Sequence, residues 1–183
     1  MSTRYKIRDQ EKSYFVTFTV VQWVDVFTRS LYRDILVESI RYCQTHKELL
    51  LHAWCIMTNH VHLIVSSKGS QPLEATIRDL KKFSSRQIIQ AIEQNSQESR
   101  QKWMLWIFRR AAENNPNNTY YQFWVQNSHP IELSYAQIAQ QKLNYLHANP
   151  VEAGIVSKPE DYLYSSAGDY AGLKGLLEID FLF

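Results

Sequence analysis

His60-Val61-His62 opens an apolar run, VHLIVS (61–66). On a strand, side chains two residues apart share a face, so two imidazoles there can place nitrogens on one divalent ion. Trp54, Ile56, Val61, Leu63 and Val65 mark the buried face, which leaves His60, His62 and Ile64 on the opposite one. The ordinary alternative is a pair of surface histidines on a half-buried strand, and the spacing alone does not separate the two. No HExxH pattern or nearby carboxylate accompanies the pair, which argues against a protease-type zinc site. A second pair, Tyr145 and Asn149, lies four residues apart in a helical run and so projects from one helix face. A phenol oxygen can act as a nucleophile, and an asparagine carbonyl oxygen can complete a metal site. Taken singly, each has a plainer reading: Tyr145 is one of 11 tyrosines, and Asn149 precedes Pro150 near a helix end.

Several elements must position these residues. Residues 13–22, SYFVTFTVVQ, alternate as a strand, with Phe15, Thr17 and Thr19 on one face and Val16, Phe18 and Val20 on the other. Residues 29–47 change to helical period. Residues 50–57 and 61–66 read as a hairpin around Thr58-Asn59-His60. Pro72 opens an amphipathic helix over 72–94, and 97–113 continue helically with Trp103, Leu105, Trp106 and Phe108 as a second apolar face. Asn114–Asn118 is a loop, 120–126 (YYQFWVQ) an expected strand, and Ser134 the expected cap of a helix that ends near Pro150. The order β-α-β-β-α-(extra helix)-β-α is that of the ferredoxin-like split βαβ. The expected class is therefore α+β: an antiparallel sheet with helices packed on one face, plus a helical insertion at about 95–119 and a C-terminal tail at about 159–183, all in one domain spanning 1–183.

Composition narrows the function. The chain has 183 residues, 45% hydrophobic and 13% aromatic, enough for a core in one domain. Two cysteines, Cys43 and Cys55, make neither a disulfide framework nor a CxxC zinc site and read as buried thiols in a reducing compartment. The charged N-terminus lacks a secretory signal, and no run approaches the ~20 apolar residues of a membrane span. The expectation is a soluble, cytoplasmic protein with no membrane partner. The net charge of +2 conceals an asymmetry: residues 1–110 carry a net +7 and residues 111–183 a net −5. Such a division hints at a polyanionic partner.

The two pairs together resemble a known family. HVH is an HUH motif, and AWCIMTNHVHLIV (53–65) closely resembles the corresponding strands of the single-tyrosine HUH transposases. YLHANPVEAGIVSKPEDYLYSSAGDYAG (145–172) resembles the tyrosine-helix region of one branch, the REP-associated tyrosine transposases (RAYT proteins), which are IS200-like. The likeness covers roughly 13–94 and 120–172; the 95–119 segment is longer than in the shortest members. The resemblance implies that His60, His62 and Asn149 hold a divalent metal, Mg2+ or Mn2+, and that Tyr145 is the nucleophile. It also implies cleavage and strand transfer of single-stranded or hairpin DNA through a 5′-phosphotyrosine intermediate, as in DNA transposition. The alternative is a catalytically idle or domesticated module that binds hairpin DNA and regulates. His147, pointing away from the Tyr145/Asn149 face, is expected to be structural or supporting. The expected DNA contacts are Arg78, Lys81, Lys82 and Arg86, then Arg100, Lys102, Arg109 and Arg110, and a basic N-terminal arm with Arg4, Lys6, Arg8 and Lys12. Exposed Trp or Tyr within 103–124 could stack on bases. A homodimer, with the tyrosine helix serving the neighbouring subunit, and a monomer are both open.

Overall fold

The computed structural model describes residues 7, 9–69, 71–113, 115, 120–126 and 129–183. Arg4, Lys6 and Arg8 of the expected basic arm lie outside the described residues, as does most of the Asn114–Asn118 loop.

Four antiparallel strands form one sheet in the order β2-β3-β1-β4: β1 Tyr14–Thr19, β2 Leu49–Ile56, β3 His60–Ser67 and β4 Ile131–Glu132. The long helices are α1 Ser30–His46, α2 Leu73–Gln94, α3 Gln101–Glu113 and α4 Ala136–Glu152; α5, Ala167–Tyr170, is a single turn. The split βαβ order and the α+β class are therefore as expected. In α2, Leu73, Thr76, Leu80, Ser84, Ile88 and Ile92 are buried, a three-to-four spacing that turns one stripe inward.

α1 and α2 pack together on the Val16/Phe18 face of the sheet, where Lys81 Nζ lies 5.3 Å from the Phe18 ring centroid. α4 departs from the expected arrangement of helices on one face. It lies on the other side, with Tyr145 against Phe15 and His62. Both sheet faces are consequently covered, and His62 and Ile64 are buried along with Leu63 and Val65.

Three local expectations are corrected. Residues 120–126 form no regular strand. Phe123 and Trp124 instead turn into the core against Phe27 and each other, and the segment meets the sheet through the Val20–Trp124 bridge, Val125 N–H to Thr19 O at 2.7 Å and the Trp124 ring on Phe18. The strand that completes the sheet is the two-residue β4, paired with Tyr14 and Phe15. Ser134 does not cap α4: its hydroxyl bonds the Glu132 carboxylate at 2.5 Å, and Tyr135 occupies the cap position without a side-chain bond. Nor does α4 stop at Pro150. It runs to Glu152 and ends at Gly154 (φ +68°), where Ile155 N–H bonds Pro150 O and Gly154 N–H bonds Val151 O, both at 2.9 Å. This paired closure is a Schellman motif, and the left-handed glycine, not the proline, sets the boundary.

The insertion contributes to the core through Met104, Phe108 and Ala112, whereas Trp103 and Trp106 face outward. Glu98, its side chain fully buried, accepts from Arg29 Nε at 2.7 Å and Arg100 Nε at 3.1 Å. Arg100, expected among the DNA contacts, is thus committed to an internal brace. The C-terminal tail covers the outer edge of β2: Ile56 N–H bonds Tyr164 O, Ser166 N–H bonds Trp54 O, and Asp180 N–H bonds Leu51 O, each at 2.9 Å. A sheet edge so paired is closed to other chains. Cys43 and Cys55 are buried and free, with burial pushing their thiols up to about 11 and about 12, so they are inert as expected. Among the described residues, no helix is long and apolar enough to cross a membrane.

Candidate active site

The site is built on the β1–β3 ladder, where Thr17 faces His62 and Thr19 faces His60. The two imidazoles stand on one face, ring centroids 4.7 Å apart. Their orientation is fixed from behind. Thr17 Oγ1 lies 2.8 Å from His62 Nδ1. Asn59 donates through Nδ2 to Asp25 Oδ1 at 3.1 Å, so its Oδ1 faces His60 Nδ1 at 2.7 Å as an acceptor. His60 therefore carries its proton on Nδ1 and leaves the Nε2 lone pair outward. The turn bearing Asn59 is held by Val20 N–H to Asn59 O at 2.9 Å and Phe27 N–H to Thr58 O at 2.8 Å.

Burial keeps both rings neutral. His60 is shifted below the ordinary imidazole value by desolvation. His62 is pushed down to about 3 by desolvation first, then by His60 and Lys142 nearby. His62 Nε2 is buried and, among the described residues, has no hydrogen-bond partner. A buried polar nitrogen without a partner costs stability unless something meets it. A divalent ion fits this atom: two neutral imidazoles offer nitrogens from one face, and Nδ1 of each is already occupied. Among the described residues no three His, Cys, Asp or Glu side chains converge, so a third protein ligand must be of another type.

α4 brings the phenol. The Tyr145 ring centroid is 5.4 Å from that of its own chain's His62 and 6.1 Å from that of Phe15, which itself stacks on His62 at 5.2 Å. Tyr145 is 44% exposed, and among the described residues its hydroxyl makes no hydrogen bond. Asn149 donates from Nδ2 to Tyr145 O at 2.7 Å, which turns the amide along the helix and leaves Oδ1 as its free acceptor. The helix passes from Lys142 over Phe15 to Tyr145 beside His62. Its next turn, a rise of about 6 Å, carries Asn149 toward the His60 end. Among the described residues Asn149 makes no hydrogen bond to either imidazole.

His147 faces away from this group, as expected. Its Nε2 lies 2.9 Å from Ser166 Oγ, its ring packs on Tyr170, and burial pushes it down to about 4. Sequence reasoning missed Thr17, Asn59 and Lys142. Lys142 Nζ lies 5.1 Å from the Phe15 centroid and 5.7 Å from that of Tyr145, and among the described residues it makes no ion pair. Its spacing of three from Tyr145 was the available signal; Thr17 is visible only once strand register is known.

The expected DNA contacts are not gathered at the site. Arg78, Lys82 and Arg86 are exposed on α2, across the sheet from the histidines, with Arg78 next to Asp79. Lys81 turns inward to donate to Val125 O at 3.1 Å, and burial pushes it down to about 8. On α3, Arg109 donates to Tyr121 OH at 3.4 Å, and Arg110 lies over the Trp106 ring.

The family described as transposase IS200 like matches residues 10–113, more than half of the chain. The chain belongs to the IS200-like transposases. A transposase-like role in DNA processing comes with that membership. The match includes the histidine pair and ends before Tyr145. The fold of this transposase is similar to that in the structure of a REP-associated tyrosine transposase bound to a REP hairpin. The two share a TM-score of 0.66 and 16% identity, over 100% of this chain and 94% of the other. At that identity the likeness speaks for the fold. A structure from Deinococcus radiodurans R1, provisionally described as a transposase, aligns with 17% identity over 73% of this chain and 87% of the other, at a TM-score of 0.46 too low to argue from. No curated protein matches the chain.

Proposed function

We propose that the chain, as one HUH transposase-like unit, cleaves single-stranded or hairpin DNA and transfers the strand, with Tyr145 as nucleophile. The observation that carries this reading is the Tyr145 ring set 5.4 Å from His62, whose buried Nε2 has no partner among the described residues. Family membership supports DNA as the substrate, and the fold neighbour's bound hairpin supports the hairpin form.

Tyr145 Oη forms a bond to phosphorus while the 3′-oxygen departs with its bonding electrons and takes up a proton. The phenolic proton passes to solvent, since the hydroxyl is open to it. The products are a 5′-phosphotyrosine and a free 3′-hydroxyl. Because the ester is retained, another 3′-hydroxyl can attack it and expel the phenol, so transfer needs no nucleotide cofactor. His60, His62 and Asn149 would hold Mg2+ or Mn2+, which supplies Lewis-acid polarisation of the scissile phosphate. Lys142, beside Tyr145, contacts a phosphate oxygen and compensates its charge. Arg78, Lys82 and Arg86 serve a part of the DNA away from the scissile bond, suited to the stem of a hairpin.

The test uses hairpins with single-stranded flanks, taken from palindromic repeats beside the gene, and Mn2+ or Mg2+. Denaturing gels are expected to reveal a covalent protein–DNA adduct that disappears with Tyr145→Phe and with chelator. An adduct undiminished by Tyr145→Phe, or none from any such hairpin, sinks the proposal. Salt-dependent hairpin binding without an adduct would favour the idle binding module.

A further inference from the structure

Trp23, on the loop between β1 and α1, stands at the rim of the site. Its ring centroid is 6.1 Å from that of His60, at an interplanar angle of 72°, and the residue is 63% exposed. Trp23 and Gln22 both adopt left-handed backbone, with φ of 54° and 55°. Side-chain-bearing residues avoid this region, and it persists only where surrounding structure enforces it. The enforcement is visible on both sides. Val20 N–H bonds Asn59 O and Val21 N–H bonds Phe123 O, both at 2.9 Å, while Val21, Val24, Val26 and Phe27 are buried. The loop therefore sinks its valines and holds its largest apolar side chain out in solvent.

The neighbours of that ring decide what it takes. Gln22 and Asp25, close to it in the chain, are exposed and polar, so hydrogen-bonding groups flank the indole. A protein interface needs a broad patch around such an anchor. A single flat ring edged by hydrogen-bonding groups instead matches one nucleobase, which offers a π-face for stacking and an edge for polar contact. We infer that Trp23 is the stacking platform for an unpaired base of the DNA strand whose phosphate lies at His60, His62 and Tyr145. This rests on the proposed function for the position of that phosphate. Stacking there would fix the strand's register, which the histidines and tyrosine, reading only a phosphate, cannot do.

Stacking tolerates any base, so oligothymidylate serves as the probe. Trp23→Ala is expected to weaken its binding about tenfold. Trp23→Phe should recover most of that loss, and Phe183→Ala, an exposed aromatic in the C-terminal tail, should leave affinity unchanged. Irradiating the 5-iodouracil version should crosslink to Trp23, as mapped by mass spectrometry. Thermal midpoints check that the variants fold. Equal affinity of Trp23→Ala and wild type, or crosslinks only at other residues, overturns the inference. The two readings fail separately. A Tyr145 adduct formed equally well by Trp23→Ala, with unchanged affinity, removes the platform alone. Crosslinking at Trp23 with no Tyr145 adduct removes strand transfer and leaves the platform standing.

Discussion

His62 is held neutral by its surroundings and aimed by one hydroxyl. Burial, then His60 and Lys142, bring it down to about 3, so the ring stays neutral and keeps one nitrogen lone pair available through the neutral range. Thr17 Oγ1, at 2.8 Å, is the group that orients the ring. Removing such a support from a metal-binding histidine typically weakens binding 10- to 100-fold, roughly. Thr17→Val should show that loss for Mn2+ by titration calorimetry, with Thr17→Ser close to wild type; wild-type affinity in Thr17→Val would rule out the orienting role. Lys81 makes the contrasting case of a cation turned inward. Its folded value of about 8 lies below the ordinary 10.5, so between these pH values the unfolded chain binds more protons. Stability contributed through Lys81 is thus present above about 10.5 and lost as pH falls through about 8. In urea melts, wild type should gain on Lys81→Met as pH rises from 8 to 10. A constant gap would show Lys81 to be freely solvated.

At the scale of elements, what local periodicity records was legible and what register records was not. The alternation of β1, the three-to-four stripe of α2 and the hairpin carrying His60 and His62 follow from neighbours in sequence. The pairing of Thr17 with His62 joins residues 45 apart and leaves no local trace. The run 120–126 has strand composition, but its Phe123 and Trp124 rings fill core volume beside Phe18, Phe27 and Phe108, and the run forms no regular ladder. Tyr145 and Asn149 were legible as one face of a helix; which side of the sheet that helix covers was not. Its end near Pro150 was legible; its exact place two residues further on is set by closing bonds that require a left-handed residue at 154. An added Cβ at Gly154 meets nothing within 4 Å, so Gly154→Ala suffers backbone strain alone. The expected cost is about 1–2 kcal/mol, lowering the thermal midpoint by several degrees. Gly154→Asn should lose less; an unchanged midpoint in the alanine variant would mean the left-handed closure is dispensable.

At the scale of the whole molecule, the site joins two regions of opposite charge. The histidines come from the half with net +7, and the tyrosine from the half with net −5. Both meet within one chain, so Tyr145 and His62 should work in cis. Mixing Tyr145→Phe with His62→Ala should then restore no adduct formation, and rescue would demand exchange of α4 between subunits. The closed edge of β2 adds a constraint in time. Ser166 bonds both Trp54 of the sheet and His147 of the nucleophile helix, and Asp180 reaches back to Leu51. The clasp thus leaves the ribosome after the helix it holds. A nascent protein still tethered there, with its histidines already displayed, would lack the docked tyrosine. On the proposed chemistry, Tyr145 would be held for strand attack only once synthesis has passed Ser166.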